Sequence, residues 1–287
     1  MALLDGGERL HLQHGPIDLV IGADAACEAD RRAALAVAAA RFEGLLEGLV
    51  TELDRHRTQL SADAPAPHDP VARRMYAAAL PFCRDRFLTP MIAVAGAVAD
   101  TILHAMRDAV PLRRAYVNNG GDIAVHLAGD HEFAVMMARH DGHPLGRVRF
   151  GSGSGIGGVA TSGTQGRSLS LGIADSVTVV ATGAARADVA ATLIANAVDL
   201  PGHPGIGRAP ATRLRPDSDL GDTPVVTRVP PLDHARREEA LAAGHAVAAK
   251  MEAEGHILGA ALFLQGGSAL TGGATRHFSP LGEVEHA

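Results

Sequence analysis

The residues best suited to chemistry in this sequence are an aspartate and a threonine that are one helical turn apart. Asp188 and Thr192 lie in a helix-like segment that follows the stretch Gly-Val-Ala-Thr-Ser-Gly at residues 158–163. On a helix, side chains four residues apart project from the same face. A carboxylate, a hydroxyl and a loop carbonyl suit Mg²⁺, which keeps water molecules for exchange with phosphates. The spacing indicates a magnesium site for a phosphorylated ligand, and the alternative is an Asp that caps a helix.

Three further segments accompany this one along the chain. In order, the four are Tyr-Val-Asn-Asn-Gly-Gly-Asp at residues 116–122, Val-Ala-Thr-Ser-Gly at 159–163, Ser-Val-Thr-Val-Val at 176–180 and Ala-Asp-Val-Ala-Ala-Thr-Leu at 187–193. Their order and approximate spacing resemble those of ApbE-type FAD:protein FMN transferases, over residues 114–198. The ends of the chain resemble an uncharacterised cytosolic branch of that superfamily rather than its secreted members.

The resemblance implies roles for individual residues. In the family, magnesium is held by the Asp and Thr of the helix and by a main-chain carbonyl beside the Thr-Ser-Gly turn, which correspond here to Asp188, Thr192 and the carbonyl of Ala160. The flavin nucleotide is expected to contact the turn formed by Asn118, Asn119, Gly120, Gly121 and Asp122. Contacts with the ligand phosphates are expected from Thr161, Ser162, Gly163 and Arg167.

Taken alone, residues 118–122 are typical of a tight turn, because Asn-Gly readily adopts positive φ. Asp122 is therefore either an acceptor for ligand hydroxyls or a structural turn residue. The glycine run at residues 151–158 contains a formal GxGxxG pattern. A Rossmann fingerprint needs a helix directly after the glycines, and a polar loop follows here, so we interpret the run as a flexible hairpin.

One feature of the resembling family is missing from this sequence. Members that transfer FMN carry a His-Ile-Ile-Asp-Pro-Arg-Thr-Gly hairpin, with its His at the reaction centre, between the Thr-Ser-Gly turn and the next strand. Here Ser-Leu-Ser-Leu-Gly-Ile-Ala-Asp at residues 168–175 runs directly into that strand. Asp175, at this junction, is the candidate general base, although an Asp before a strand is commonly a turn residue.

The resemblance implies an FAD-binding, magnesium-dependent enzyme that cleaves the flavin pyrophosphate. The FMN would pass to a Thr or Ser of a partner flavoprotein, or to water in hydrolysis, while AMP leaves. Because the family His is absent, a catalytically silent flavin or nucleotide-binding protein is the alternative. A structural homo-oligomer without a ligand is a third, and the presence of Asp188 and Thr192 argues against it.

Composition is that of a globular protein, with 47% hydrophobic and 20% charged residues. We predict a single domain over residues 1–287, with a linker-like segment at 61–70 and a frayed tail at 272–287. Cys27 and Cys83 lack CxxC spacing, which argues against a disulfide framework or a zinc site. The N-terminal sequence lacks a signal peptide pattern and no apolar run could span a bilayer, so we expect a cytoplasmic protein without a membrane anchor.

The charge balance argues against nucleic-acid binding. The formal net charge is -6 and only 3% of residues are aromatic. Nucleic-acid interfaces depend on positive charge for the phosphates and on aromatic side chains for base stacking. Composition therefore argues against DNA or RNA as the ligand, and the resemblance to the ApbE family implies FAD or a related flavin nucleotide instead.

Hydrophobic periodicity gives a coarse order of elements. In the first part of the chain we predict a hairpin of strands at 9–12 and 17–21, then helices at 25–53, at 71–80 and from Thr89-Pro90 onward. Short strands should follow at 115–117, 123–127, 133–137, 147–150, 169–171 and 177–181, before a helix at 184–198. After a Pro/Gly-rich loop at 200–224 we expect a strand at 225–229, a helix at 232–254 and a strand at 260–264. This order predicts an α+β fold with helices packed on a largely antiparallel sheet, as the resemblance to ApbE also implies.

Overall fold

The computed structural model describes residues 1–84, 86–139, 141–166 and 168–280. The chain forms two compact units. Unit 1 contains Met1–Glu132, Gly151–Ala160 and Ala181–Val189, and unit 2 contains Phe133–Phe150, Thr161–Val180 and Ala190–Ala287. The single domain predicted from the sequence stays a prediction.

The sheet of unit 1 is antiparallel. Its strands are β1 (Ala2–Leu4), β2 (Arg9–His14), β3 (Ile17–Ala25), β4 (Leu112–Asn119), β5 (Asp122–Leu127) and the start of β8 (Gly158–Ser162), and neighbours pair in that order. Alternate residues of a strand point to opposite faces. Accordingly Leu10 and Leu12 of β2, with Leu19 and Ile21 of β3, are buried on one face. This face is the core against which the helices of unit 1 pack.

The first helix predicted for unit 1 is divided into shorter helices in the structure. They are α1 (Glu28–Phe42), α2 (Leu45–Thr51), α3 (Leu53–His56), α4 (Pro70–Ala79) and α5 (Val94–Ala109), with 3-10 helices at Leu80–Phe82 and Pro90–Ala93. The prediction of one helix over residues 25–53 is wrong. Gly44 adopts φ 71°, a left-handed conformation that glycine tolerates and that ends α1. The chain therefore turns between α1 and α2.

Helix α6 (Ala184–Ala197) contributes its residues up to Val189 to unit 1 and the remainder to unit 2. The predicted helix at 184–198 agrees with this element to within one residue. Both Asp188 and Thr192 lie on α6, so the expectation that they share one helix is confirmed. Ala184, Ala187 and Val189 are buried, which shows that the first part of α6 packs into the core of unit 1.

Unit 2 contains three groups of antiparallel strands. The first group contains β9 (Ser176–Ala181), β12 (Gly259–Leu264) and β13 (Gly267–Leu270), and the second contains β6 (Glu132–Ala138), β7 (Pro144–Gly151) and β14 (Phe278–Pro280). Strands β10 (Gly207–Pro210) and β11 (Pro224–Arg228) pair with each other. The helices are α7 (Ala211–Leu214) and α8 (His234–Ala253). The predicted α+β class with largely antiparallel sheets is confirmed.

The structure differs from the sequence prediction at two places in unit 2. Residues 169–171 form no strand, because this segment is held by bonds from Val226 N–H to the Ser170 carbonyl and from Leu171 N–H to the Asn196 side chain. In the segment expected to fray, Phe278–Pro280 pairs with β7, while residues 281–287 lie outside the described part. Within the described residues, each helix is too short or too polar to cross a membrane.

Candidate metal and nucleotide site

Asp188 is a buried carboxylate held by the start of another helix. Its side chain is 9% exposed. The main-chain N–H of Gly96, in the first turn of α5, donates to Asp188 Oδ2 at 3.0 Å, and the N–H of Ala95 also bonds to this carboxylate. The first N–H groups of a helix lack partners within that helix and carry partial positive charge. Asp188 therefore supplies acceptors that the start of α5 needs.

Burial raises the pKa of Asp188 well above its ordinary value. The negative charge of Asp122 raises it further, and Asp100 adds a smaller effect in the same direction. Hydrogen bonds from Gly96 and Ala95 oppose these effects, because they favour the ionised form. No Lys, Arg or His in the described residues pairs with Asp188. A cation bound at this carboxylate would offset both the desolvation cost of its negative charge and the repulsion from Asp122.

Asp100, on α5, makes the reverse connection. Its Oδ1 accepts the N–H of Ala184 and its Oδ2 accepts the N–H of Ala185, each at 3.0 Å. These amides form the first turn of α6, and Asp100 is 7% exposed. Burial raises the pKa of Asp100, and the two N–H bonds oppose that change. Asp100 was not among the residues predicted from the sequence, although an acid that directly follows the apolar residues 91–99 is a visible signal.

Glycines allow these main-chain segments to approach closely. A Cβ added at Gly96 would overlap with the carbonyl of Ala184, and one at Gly158 would overlap with the main chain at Ala184. A Cβ at Gly157 would overlap with the carbonyl of Thr182. The end of the glycine run 151–158 thus packs directly on the start of α6. This arrangement explains why these three positions lack side chains.

The Asn-Gly turn at residues 118–122 joins β4 to β5 in unit 1. Asn118 Oδ1 accepts the N–H of Gly121 at 2.8 Å. Asn119, 7% exposed, donates from Nδ2 to the Ala95 carbonyl at 3.1 Å. Gly120 and Gly121 have φ of 66° and 116°, as the Asn-Gly sequence predicts. The turn is thereby attached to Ala95, whose N–H bonds to the Asp188 carboxylate.

Unit 1 therefore brings together several of the predicted site residues. Asp122 is half-buried and its charge acts on Asp188. Ala160, whose carbonyl is a predicted metal ligand, is fully buried in β8. The Asp188 and Asp122 carboxylates, the first amides of α5 and the turn at residues 118–122 therefore form one polar group at the start of α5. Their assigned roles toward a metal and a nucleotide stay predictions.

The predicted residues in unit 2 lie at the end of β8, in the loop that follows and on α6. Thr161 is exposed, and its Oγ1 is 2.9 Å from Oγ1 of the buried Thr178. Ser162 and Thr192 are half-buried. Gly163 is buried, and a Cβ there would overlap with the carbonyl of Asp175. Arg167, the predicted phosphate contact, lies outside the described residues.

Asp175, the candidate base, lines a cavity of about 170 Å³ in unit 2 together with Arg139, Asp141 and Gln165. Its Oδ2 accepts the N–H of Gln265 at 2.6 Å, which fixes the carboxylate. Arg139 Nη2 pairs with Asp141 Oδ2 at 2.6 Å. Arg139 and Asp141 were not predicted from the sequence, because they follow β6 and lie far from Asp175 along the chain. Asp175 thus lies beside a polar cavity, and its role as a general base stays a prediction.

The segment between β8 and β9 has no hairpin in its described residues, 163–166 and 168–175. The N–H of Thr164 bonds to the Ala174 carbonyl at 2.9 Å, so the loop closes where it begins. This geometry agrees with the absence of the His-containing hairpin from the sequence.

Comparison with known proteins identifies a family and a fold. The family model described as AbpE bacteria matches residues 1–275. A UPF0280 protein of Methanopyrus kandleri is 41% identical over 127 residues, covering 44% of this chain and 48% of that protein. A UPF0280 protein of Methanoregula boonei is 32% identical over 160 residues, covering 54% of this chain and 66% of that protein. The chain spans about half the length of the first curated relatives it matches.

Solved structures share the fold at low sequence identity. The flavin transferase ApbE from Vibrio cholerae has a TM-score of 0.52 and 13% identity, over 94% of this chain and 99% of that one. The ApbE protein from Thermotoga maritima has a TM-score of 0.50 and 12% identity, over 92% and 96%. Together with the family match over residues 1–275, these likenesses show that the chain belongs to the AbpE bacteria family and has an ApbE-like fold.

Proposed function

We propose that this protein binds FAD with Mg²⁺, cleaves the flavin pyrophosphate and transfers FMN to a Thr or Ser of a partner flavoprotein. The observation that supports it best is Asp188, a buried carboxylate beside a second acid without a cationic side-chain partner in the described residues. The ApbE-like family supplies the substrate class, since its solved relative from Vibrio cholerae is a flavin transferase. The resemblance to a cytosolic branch supports a cytoplasmic location.

The residues present fit a magnesium ion. The proposed ligands are the Asp188 carboxylate, the Thr192 hydroxyl and the Ala160 carbonyl, which are all oxygen donors. No cluster of three or more His, Cys, Asp or Glu suited to a metal occurs in the described residues. Magnesium requires no such cluster, because it uses one or two carboxylates and completes its shell with phosphates and water. When bound, it would supply charge neutralisation on the pyrophosphate.

The chain's own groups would position the nucleotide. The Asn118 to Asp122 turn offers main-chain groups and a carboxylate to the flavin nucleotide, and Asn119 holds that turn against α5. Thr161 and Ser162 offer hydroxyls to the phosphates, with Gly163 and Arg167 completing the proposed contacts. Thr178 orients the Thr161 hydroxyl through their hydrogen bond. These groups bind and orient, and they need no chemistry of their own.

Asp175 is the proposed base. It would take the proton of the attacking hydroxyl as the new P–O bond to FMN forms and the pyrophosphate P–O bond breaks, with AMP leaving. Gln265 N–H fixes one carboxylate oxygen, and Arg139 lies in the same cavity. The attacking hydroxyl belongs to the acceptor protein in transfer and to water in hydrolysis. The missing hairpin His is the reason that Asp175 receives this role.

The decisive experiment follows AMP release and FMN attachment together. The purified protein is incubated with FAD and Mg²⁺, with EDTA as a control, and a co-expressed partner flavoprotein is analysed by mass spectrometry for an FMN adduct. We expect magnesium-dependent AMP release and an adduct on a Thr or Ser. Neither product from a protein that calorimetry shows to be loaded with FAD would identify a catalytically silent binder instead.

A further inference from the structure

Helices α5 and α6 bind each other's carboxylates at their first turns. Asp100 of α5 accepts the N–H groups of Ala184 and Ala185 of α6. Asp188 of α6 accepts the N–H of Gly96 of α5. In each helix the acid lies one turn after the amide that the other helix uses. The starts of the two helices are therefore connected in both directions, and all five residues belong to unit 1.

Capping alone does not require a buried acid. Asp233 caps α8 from an exposed position, where its Oδ1 accepts the N–H of Arg236 at 2.8 Å. Asp100, in contrast, is 7% exposed, and a buried carboxylate carries a desolvation cost that an exposed cap avoids. Both of its oxygens face the start of α6. The desolvation cost of Asp100 therefore indicates that this acid fixes the position of α6 and does more than cap the helix.

The main-chain contact between the helices leaves little room for adjustment. A Cβ at Gly96 would overlap with the Ala184 carbonyl, and one at Gly183 would lie 3.2 Å from Asp100 Oδ2. The first turn of α6 is thus fixed by packing on one side and by Asp100 on the other. Asp188 follows one turn later on the same helix, so the position of its carboxylate depends on that first turn.

We propose that Asp100 is a positioning residue, which fixes the first turn of α6 through Ala184 and Ala185 and thereby places the Asp188 carboxylate. The inference rests on the proposed function in one respect, since Asp188 matters for turnover only if it is a metal ligand. Residues that orient a metal ligand typically change metal affinity by roughly tenfold to a hundredfold when removed. We assign Asp100 no contact with the nucleotide or with the metal.

The test uses Asp100→Ala with Asp69→Ala as the matched control. Asp69 also accepts two N–H groups at a helix start, from Val71 at 2.8 Å and Ala72 at 3.0 Å. In the metal-free protein, NMR hydrogen exchange of the Gly96 amide reports whether Asp188 still holds it. Asp100→Ala should speed this exchange at least about tenfold beyond any change at Ile102 and Leu103 of the same helix. Asp69→Ala should leave that ratio unchanged.

A second readout concerns the loaded protein. The Mg²⁺ concentration for half-maximal AMP release should rise roughly tenfold to a hundredfold in Asp100→Ala, with kcat at saturating Mg²⁺ within a few-fold of wild type. Asp100→Asn, which keeps one acceptor oxygen, should give an intermediate effect, and it replaces the Ala variant if that variant does not fold. Asp69→Ala should keep the wild-type requirement for Mg²⁺.

The outcomes separate the inference from the proposed function. If Gly96 exchange rises only as much as that of Ile102 and Leu103, or if the Asp100 and Asp69 variants behave alike, Asp100 is an ordinary cap and the inference is overturned. If wild type shows no magnesium-dependent FAD binding, the proposed function fails. The Gly96 exchange measured without metal then still decides whether Asp100 positions Asp188.

Discussion

The Asp188 carboxylate accepts a hydrogen bond from the main-chain N–H of Gly96 at 3.0 Å, although the two residues are 92 positions apart in the sequence. Asp188 is therefore a structural acceptor as well as the proposed magnesium ligand. Its replacement by Ala removes both functions at once. A substitution that keeps the acceptor and removes the charge is needed to separate them.

Asp188→Asn should abolish magnesium-dependent FAD binding without lowering the melting temperature. The amide oxygen still accepts from Gly96, while the buried negative charge beside Asp122 is lost. Asp188→Ala should melt lower, because an unsatisfied buried N–H costs about 1–3 kcal/mol. Calorimetric titration and thermal unfolding without metal measure the two effects. Wild-type magnesium-dependent affinity in Asp188→Asn would exclude this residue as the metal ligand.

Thr192→Ala should weaken magnesium-dependent FAD binding less than Asp188→Asn does, because water can replace a neutral hydroxyl as a ligand of the ion.

Removal of magnesium should weaken FAD binding to the wild-type protein. The proposed ligands are oxygen atoms, and Asp188 has no cationic partner in the described residues to replace the ion. Titration calorimetry with Mg²⁺ and with EDTA compares the two affinities. Ca²⁺ in place of Mg²⁺ tests whether the site requires a small octahedral ion. Equal FAD affinity with Mg²⁺ and EDTA would remove the metal from the proposal.

Gly96→Ala should destabilise unit 1 by roughly 1–3 kcal/mol, as overpacking at a close contact typically does. An added Cβ would overlap with the Ala184 carbonyl and separate α5 from α6. Gly153→Ala is the control, because an added Cβ there meets nothing within 4 Å. Denaturant unfolding of both variants gives the comparison. Equal stability of Gly96→Ala and wild type would show that the helices can separate without cost.

Much of this fold could be predicted from local sequence patterns, because strands and helices follow hydrophobic periodicity. The strands on either side of the Asn-Gly turn and the helix that contains Asp188 and Thr192 were predicted in this way. The break at Gly44 was missed, since the apolar pattern continues through it and only the backbone conformation reveals the turn. A glycine inside an amphipathic pattern is ambiguous until its φ is known.

The candidate site was predictable only where residues are close in sequence. Asp188 and Thr192 share a helix, so their spacing carried the information. Contacts of Asp188 with Gly96, and of Asp100 with Ala184, join distant segments and depend on how the helices pack. A single sequence gives no signal for such pairings. The same reason applies to Arg139 and Asp175, which meet only at the cavity of unit 2.

Asp175→Asn should lower turnover while FAD affinity stays within a few-fold of wild type. The amide can still accept from Gln265, so the loop keeps its position, but it cannot take a proton. Asp141→Asn is the matched control, because it removes an equal charge from the same cavity. AMP release at saturating FAD measures the effect. Equal losses in the two variants would assign the change to the charge of the cavity rather than to a base.

His56 should make unit 1 less stable in acid. The side chain is 0% exposed, and neither ring nitrogen has a hydrogen-bond partner in the described residues. Burial lowers the pKa of His56 from 6.5, although the charges of Glu52 and Asp69 oppose this. The unfolded chain therefore binds the proton more readily than the folded protein. The stability contribution is complete above about pH 6.5 and is lost as the pH falls through the lower, folded pKa.

His56→Phe should remove this pH dependence. Phe cannot be protonated, and it can keep an edge-to-face contact like that of His56 with Tyr76, whose ring centroids are 5.9 Å apart. Unfolding free energies at about pH 7.5 and about pH 5.5 should differ less in His56→Phe than in wild type. His68→Gln, which changes an exposed histidine, should retain the wild-type difference.

Asp100 also contributes to the pH dependence. Because burial raises the pKa of Asp100, that residue favours stability at acid pH, so only the comparison of wild type with His56→Phe isolates the effect of His56. The same pH dependence in wild type and His56→Phe would show that the buried imidazole is protonated at no cost to the fold.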